Sequence, residues 1–358
     1  MTMTELTGRA YFLMLATAVA ALAAAPVSDI DPALRAALAR DLKFSPAELA
    51  DLERGRIVRH SLGSSAPGEV AVVGAVRVNA RKETLVERYR DITQFKRGPD
   101  VLQIGRFGNP PTLDDLAALT ITREDLDLRG CRVRDCDVRL PAETIARFQR
   151  EIDWKAPDAN ARAAVLYKQV LFDHVRAYVS GGPGLITQYD DMKRPIRLAD
   201  DFAGLLKNSP YLGTFLPGLA EHLQAFAVHP LADADDFLYW SKEKFGLTPF
   251  ITVTHVTMSP GSPGSPESPE SPAASGRYVI ASRDVYSSRY VDASLSLTVA
   301  SDAVAQPNAF YLVYVNRSRA NALKGSFAAL RRSIVERRTR EALDETLKAV
   351  KQRIEKGS

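Results

Sequence analysis

Cysteine and tryptophan are nearly missing from this chain, with two of each in 358 residues. That excludes a disulfide-dense scaffold and a multi-cysteine zinc module. Histidine is scarce too. The five present, His60, His174, His222, His229 and His255, show no metal-ligand spacing. No excess of one charge exists either: a net +4 over this length names no partner and argues against nucleic acid. HExxH, GxSxG, a P-loop and a strand-borne GxGxxG are all absent, so no motif announces a reaction class. The acidic run Asp233, Asp235, Asp236 lacks the Gly and downstream Glu of a calcium loop and reads as helix capping. No catalytic residue, metal site or cofactor is expected.

Long apolar runs are likewise missing except at the N-terminus. There Arg9 precedes AYFLMLATAVAALAAA, uncharged and of signal-peptide length, but shorter than the ~20 residues of a bilayer span. Ala21-Leu22-Ala23 places small residues where a signal peptidase reads. A cleavable signal over residues 1–25 is expected, and with it a periplasmic or secreted protein. With no cysteine near the cut, a lipid anchor is not expected. In an oxidising compartment Cys131 and Cys136, within GCRVRDCD, favour a disulfide over two free thiols. Closing so small a loop contributes roughly 2 kcal/mol in the chain-entropy model.

What is present is an ordinary apolar fraction of 46% arranged in periodic blocks. DPALRAALARDL and SPAELADLERGRIV read as short helices, the second opened by Ser45, Pro46 and Glu48 as a capping box. EVAVVGAVRVNA reads as a strand, RKETLVERYRDITQF as a helix and VLQIGRFG as a strand. LDLRGCRVRDCDVRL suggests a hairpin pinned by the disulfide. The middle is helical: AETIARFQREIDW, then DANARAAVLYKQVLFDHVRAYV, then a pair over about 198–227, with DDFLYWSKEKFG as a last helix capped by Asp235 or Asp236 and stopped at Gly246. TPFITVTHVTM, the long run 278–299 and NAFYLVYVNRSR are strands. The run 278–299 is too long to lie flat at ~3.3 Å per residue, so a bend or bulge is expected at Ser287-Ser288. Between the first two lies a Pro/Ser-rich tract that cannot build a core and reads as an exposed hairpin loop. A final helix of about thirty residues carries Phe327, Leu330 and Ile334 on one face and Leu343, Leu347, Val350 and Ile354 nearly opposite. The first face is expected on the sheet and the second against the inserted helices or another chain.

This order predicts an α+β fold, a curved antiparallel sheet gripping a long C-terminal helix. One domain spans 26–358, with a helical insertion at about 142–246 and a disordered loop at 259–276. The strand at 69–80 followed by a helix, the late strands 249–258, 277–299 and 309–319, and the helix from Ser326 together resemble the helix-grip arrangement of the START-like superfamily. That resemblance implies a hydrophobic cavity between sheet and helix.

Arg283 and Arg289 share strand parity with Val279, Ala281, Val285, Val291 and Leu295. If that face lines a cavity, the two guanidinium groups hold the polar end of a ligand; otherwise they pair with carboxylates or reach the strand edge. Tyr286 and Tyr290 turn inward if a bulge switches the face. His255 shares parity with Ile251 and Val253, and Trp240 is placed to roof a pocket. The expected function is a carrier of a hydrophobic or amphipathic, lipid-like molecule, with those six residues as ligand contacts. Two alternatives stay open: an enzyme of the same fold using His255 or a tyrosine in acid-base chemistry, and a non-catalytic envelope protein. Peripheral membrane contact and self-association through the C-terminal helix are further expected options.

Overall fold

Two helices with side-chain caps lead the chain in the structure, a computed structural model describing residues 28–64, 66–181, 186–244, 248–261, 276–325 and 327–357. Helix α1 (Pro32–Arg40) starts where the Asp31 carboxylate accepts from Leu34 N, and α2 (Pro46–Glu53) starts on the Ser45/Glu48 capping box. Strands β1 (Val58–Ser61) and β2 (Glu69–Val78), helices α3 (Lys82–Arg90) and α4 (Ile92–Phe95), and β3 (Val101–Arg106) follow. The middle holds α5 (Ala142–Glu151), α6 (Ala159–Val179), a two-residue ribbon β4 (Gln188–Tyr189) and β5 (Ile196–Arg197), then α7 (Leu198–Lys207), α8 (Tyr211–Phe215) and α9 (Leu219–Gln224). Strands β6 (Asp235–Lys244), β7 (Pro249–Pro260), β8 (Arg277–Ser287), β9 (Ala293–Asp302) and β10 (Phe310–Arg319) precede the terminal helix α10 (Ala328–Glu355). The expected signal at 1–25, the stop at Gly246 and tract residues 262–275 lie outside the described residues.

Eight strands form one antiparallel sheet, ordered β1-β2-β10-β9-β8-β7-β6-β3, curved but not closed. Both of its faces are covered. On one, Val73, Val313, Leu297 and Val299 pack under α1, α2 and α7–α9. Farther along the same face Leu238, Trp240, Ile251 and Val253 pack under α5, α6 and the disulfide loop. The opposite face holds α10 and α3 on Val72, Val76 and Leu312, and α3 and α4 on Phe237, Tyr239 and Met258. The α+β class, the sheet and its terminal helix are thus as the sequence predicts.

Four local expectations are overturned. DDFLYWSKEK is strand β6, not a helix. Phe237 and Tyr239 pack on one face while Leu238 and Trp240 pack on the other, and burial on both sides erases the alternation that marks a half-exposed strand. The helical part of the middle therefore ends at Gln224. The run 278–299 is two strands, not one bent strand: β8 and β9 pair with each other, and Tyr290 turns the chain with a left-handed φ of 63°. The bulge falls at Val285, since Asp284 faces Thr254 while Tyr286 faces Val253. It turns Tyr286 toward the face of Val253, two residues before the expected place. The segment around Cys131 and Cys136 carries the disulfide, but only an isolated bridge joins Arg132 and Asp135 there, without flanking strands.

The fourth correction concerns α10. Its second half lies on the sheet through Leu343, Leu347 and Ile354, whereas Phe327, Leu330 and Ile334 are exposed. Gly74 on β2 explains the choice. A Cβ there would lie 2.7 Å from Leu347 Cδ1 and 3.0 Å from Leu343 Cδ2, so its absence lets the helix approach. Leu347→Ala should cost about 2–5 kcal/mol in urea unfolding, and Leu330→Ala less than about 0.5 kcal/mol. Equal losses would contradict this packing.

Candidate functional site

Strand register assembles a polar cluster on the helix-covered face. Asp236 stands on β6 opposite Thr257 of β7; two pairs along, Leu238 faces His255, and His255 faces Arg283 of β8. Helix α9 brings His222 over these strands, and the last turn of α6 brings Tyr178. Phe226, in the turn after α9, packs between them, with its ring centroid 4.3 Å from that of His255 and 5.5 Å from that of His222. Residues distant in sequence thus converge where the two helical blocks meet.

One oxygen organises the cluster. Asp236 Oδ1 lies 2.9 Å from His255 Nε2, 3.1 Å from His222 Nε2 and 2.7 Å from the Thr257 hydroxyl. His222 and His255 are buried, whereas the Asp236 side chain keeps 18% exposure. Donor and acceptor roles follow from what each neighbour can do. His229 O can only accept, so His222 Nδ1, 2.8 Å away, carries a proton. Thr257 gives its one proton to Asp236 and has none left for His222 Nε2 at 3.2 Å. That nitrogen must then carry a second proton, or meet another cation, to face a carboxylate. His255 solves the same problem while neutral. Its Nε2–H donates to Asp236 and its Nδ1 accepts from Tyr178 OH at 3.0 Å.

Electrostatics agree with this assignment. Burial opposes the charged form of His222, but hydrogen bonds to Asp236 and to His229 O outweigh it and raise the pKa above 6.5. Burial lowers that of His255, against the pull of Asp236. Burial would raise the Asp236 carboxyl, yet the bonds from both imidazoles and Thr257 hold it far below the carboxylate range. In linkage terms, Asp236 contributes stability that is present above its unfolded pKa near 4 and lost as pH falls. The His222 contribution is complete below about 6.5 and lost as pH rises through its raised value.

Of the six expected ligand contacts, the structure places His255 in this cluster and Arg283 beside it. Arg283 Nη1 donates 2.7 Å to Leu223 O in the last turn of α9, and the guanidinium lies 4.0 Å from the centre of the Phe202 ring. Burial lowers its pKa, and no described carboxylate pairs with it. The other four stand apart. Arg289 Nη2 donates 3.3 Å to Asp125 O. Tyr286 shares a 2.7 Å hydroxyl contact with Tyr167, and burial pushes its pKa up. Tyr290 OH donates to Thr248 O at 3.1 Å. Trp240 is core: its Nε1 donates to Asp115 O at 2.8 Å, and its ring leaves no room for a Cβ on Gly105. A cleft of about 490 Å³ lies elsewhere, against the disulfide loop, lined by Arg134, Asp137, Asp191 and Arg194 but by neither Arg283 nor Arg289.

His222, Asp236, Thr257 and Tyr178 escape a sequence reading because they lie on four elements. His222 precedes Asp236 by fourteen residues and His255 follows it by nineteen. No local spacing joins them. The reading of Asp236 as a helix cap failed along with the helix itself. The signal available was parity: Asp236 lies two residues before Leu238 on one strand face, and His255 and Thr257 alternate on the next.

Scans against family models, curated proteins and solved structures found no match for this chain. The chemistry of the cluster therefore has to be read from its own geometry. By NMR titration, the His222 ring should protonate above pH 6.5 in the parent and at a lower pH in Asp236→Asn, where only the hydrogen bond to His229 O still opposes burial. An unchanged midpoint would disprove the assigned pair.

Proposed function

We propose that the protein binds one divalent transition-metal ion of the zinc class through His222 Nε2, His255 Nε2 and an oxygen of Asp236. The observation that carries this reading is the fixed Nδ1–H of His222, which leaves Nε2 facing a carboxylate across a position that requires a positive charge. A proton satisfies it, and so does a metal ion. The three donor atoms lie within 4.8 Å of one another. Two imidazoles and a carboxylate suit zinc, with Thr257 Oγ1 beside them as a fourth donor.

The surrounding shell supports the same reading. Ligating imidazoles ordinarily donate their remote N–H to an oxygen acceptor. Here His222 Nδ1 has His229 O, and His255 Nδ1 has the Tyr178 hydroxyl, which turns from donor to acceptor when a metal takes Nε2. Both rings are buried, and none of the cluster residues lines the 490 Å³ cleft. An enclosed site of this kind favours holding an ion over turning over a substrate. A bound ion ties α9 and its turn to β6 and β7, which are otherwise joined there by hydrogen bonds and by the packing of Phe226 on His255.

A second reading has one specific observation in its favour: Tyr178, His255 and Asp236 form a hydrogen-bonded relay able to move a proton to or from the phenol oxygen. It lacks a place for substrate at Tyr178, which is buried against Phe226. The carrier of a lipid-like molecule needs a hollow walled by Arg283 or Arg289. Both guanidinium groups are already bound to backbone carbonyls, so the metal reading is preferred.

The test is titration of chelator-treated protein with Zn²⁺ and Co²⁺. One equivalent should bind, giving the visible absorption of tetrahedral Co²⁺, and excess zinc at a hundred times Kd should raise unfolding stability by about 2.7 kcal/mol. Affinity should fall as pH drops through the raised pKa of His222, whose Nε2 proton competes with the metal, and fall further as His255 protonates at lower pH. His222→Ala and Asp236→Asn should each abolish the spectrum. Undiminished binding in both variants, or an unfolding curve indifferent to zinc, would defeat the proposal.

A further inference from the structure

The exposed first half of α10 is unusual for a surface helix. Phe327, Leu330 and Ile334 are exposed at 79%, 61% and 38%. At 100° per residue Leu330 and Ile334 lie within a ~40° sector of the helix, and Phe327 precedes them at its N-cap. Arg337 flanks that sector on one side, and Arg331 and Arg338 flank it on the other. Among the described residues the side chains of Arg337 and Arg338 take part in no ion pair or hydrogen bond, while Arg331 donates to Lys324 O. Glu336 points to the opposite side of the helix, and the first acid on the exposed sector is Glu341, beyond the apolar stripe. Phe327 also holds a left-handed φ of 59°, a conformation that costs a bulky side chain roughly 1 kcal/mol or more. The backbone thus bears strain where it presents a phenyl ring to solvent.

We infer that this half-helix docks the protein on an anionic phospholipid surface, independently of the metal site. Complementary charge decides the occupant. An apolar stripe bordered by arginines matches an interface whose head groups are negative and whose acyl boundary is greasy. A second copy of the same face would bring Arg337 and Arg338 against arginines, with no acid within the stripe to offset them. The anchoring is shallow, because three apolar side chains bury little area. Electrostatic attraction therefore supplies most of it and is screened by salt.

Co-sedimentation of the full chain with vesicles tests this. Binding is expected to phosphatidylglycerol–phosphatidylcholine vesicles, not to pure phosphatidylcholine, and to disappear as salt rises toward 1 M. Each arginine near the surface is worth about a fivefold change in partitioning, so R337Q/R338Q should weaken binding roughly 30-fold. L330S/I334S should weaken it as well while leaving the urea midpoint unchanged, since both positions are exposed. Equal binding to neutral vesicles, or wild-type partitioning in R337Q/R338Q, would overturn the inference. So would a dimer that L330S/I334S dissociates in the absence of any vesicle binding.

Discussion

A single carboxylate shared by two imidazoles is the constraint on which the functional reading rests. Asp236 accepts from His222, His255 and Thr257 on one oxygen, and those donors come from α9 and β7. The contacts of His255 and Thr257 exist only if β6 and β7 hold their register to the residue. A one-residue slip would send His255 and Thr257 to the α3–α4 side and leave Asp236 with His222 alone. The site is therefore founded on the sheet, and α9 completes it with His222. The same logic explains Arg283. It lies one strand farther on, opposite His255, and satisfies the orphan carbonyls at the end of α9, holding in place the helix that delivers His222.

A second buried carboxylate does comparable work at the other end of the sheet. Glu69, at the start of β2, accepts from Arg317 at 2.5 Å, Arg319 at 3.1 Å, Ser64 at 2.8 Å and Asn208 at 3.0 Å. Burial would raise its pKa, but these donors outweigh it and keep it ionised. Arg319 reaches on to Asp201 of α7 and lies directly over Gly204, where a Cβ would collide with its guanidinium. So α7 is placed by charge as well as by apolar contact. Such fully satisfied networks fix one arrangement of elements, whatever their net energy. Two polar clusters, one fixing α7 and one receiving α9, thereby define how the helical block sits on its sheet.

The sequence disclosed the frame better than the site. Local rules sufficed for α2, whose capping box is visible in Ser45 and Glu48, and for β2, whose valines alternate. They failed where tertiary burial cancels local pattern. Phe237, Leu238, Tyr239 and Trp240 are all buried, so β6 offers neither a strand period nor a helix period. The reversal between β8 and β9 was hidden because Tyr290 adopts a positive φ without the usual Gly or Asn to mark it. For α10 both apolar faces were legible, but which one packs depends on a partner, Gly74, far away in the chain. The cluster around Asp236 is wholly non-local, and histidine spacing along the chain could not reveal it. His255 alone was identified, from its parity with Ile251 and Val253.

The two ends of the sheet carry a consequence for how the protein behaves in company. Its outermost strands are β1, only four residues long, and β3, whose pairing is broken between Val101 and Gln103. A newcomer strand would find too few straight, unpaired amides at either rim to continue the ladder. An open sheet of this width, which could have templated fibrils, instead terminates itself. Among the described residues, the rims of this sheet offer a neighbouring molecule little backbone to pair with.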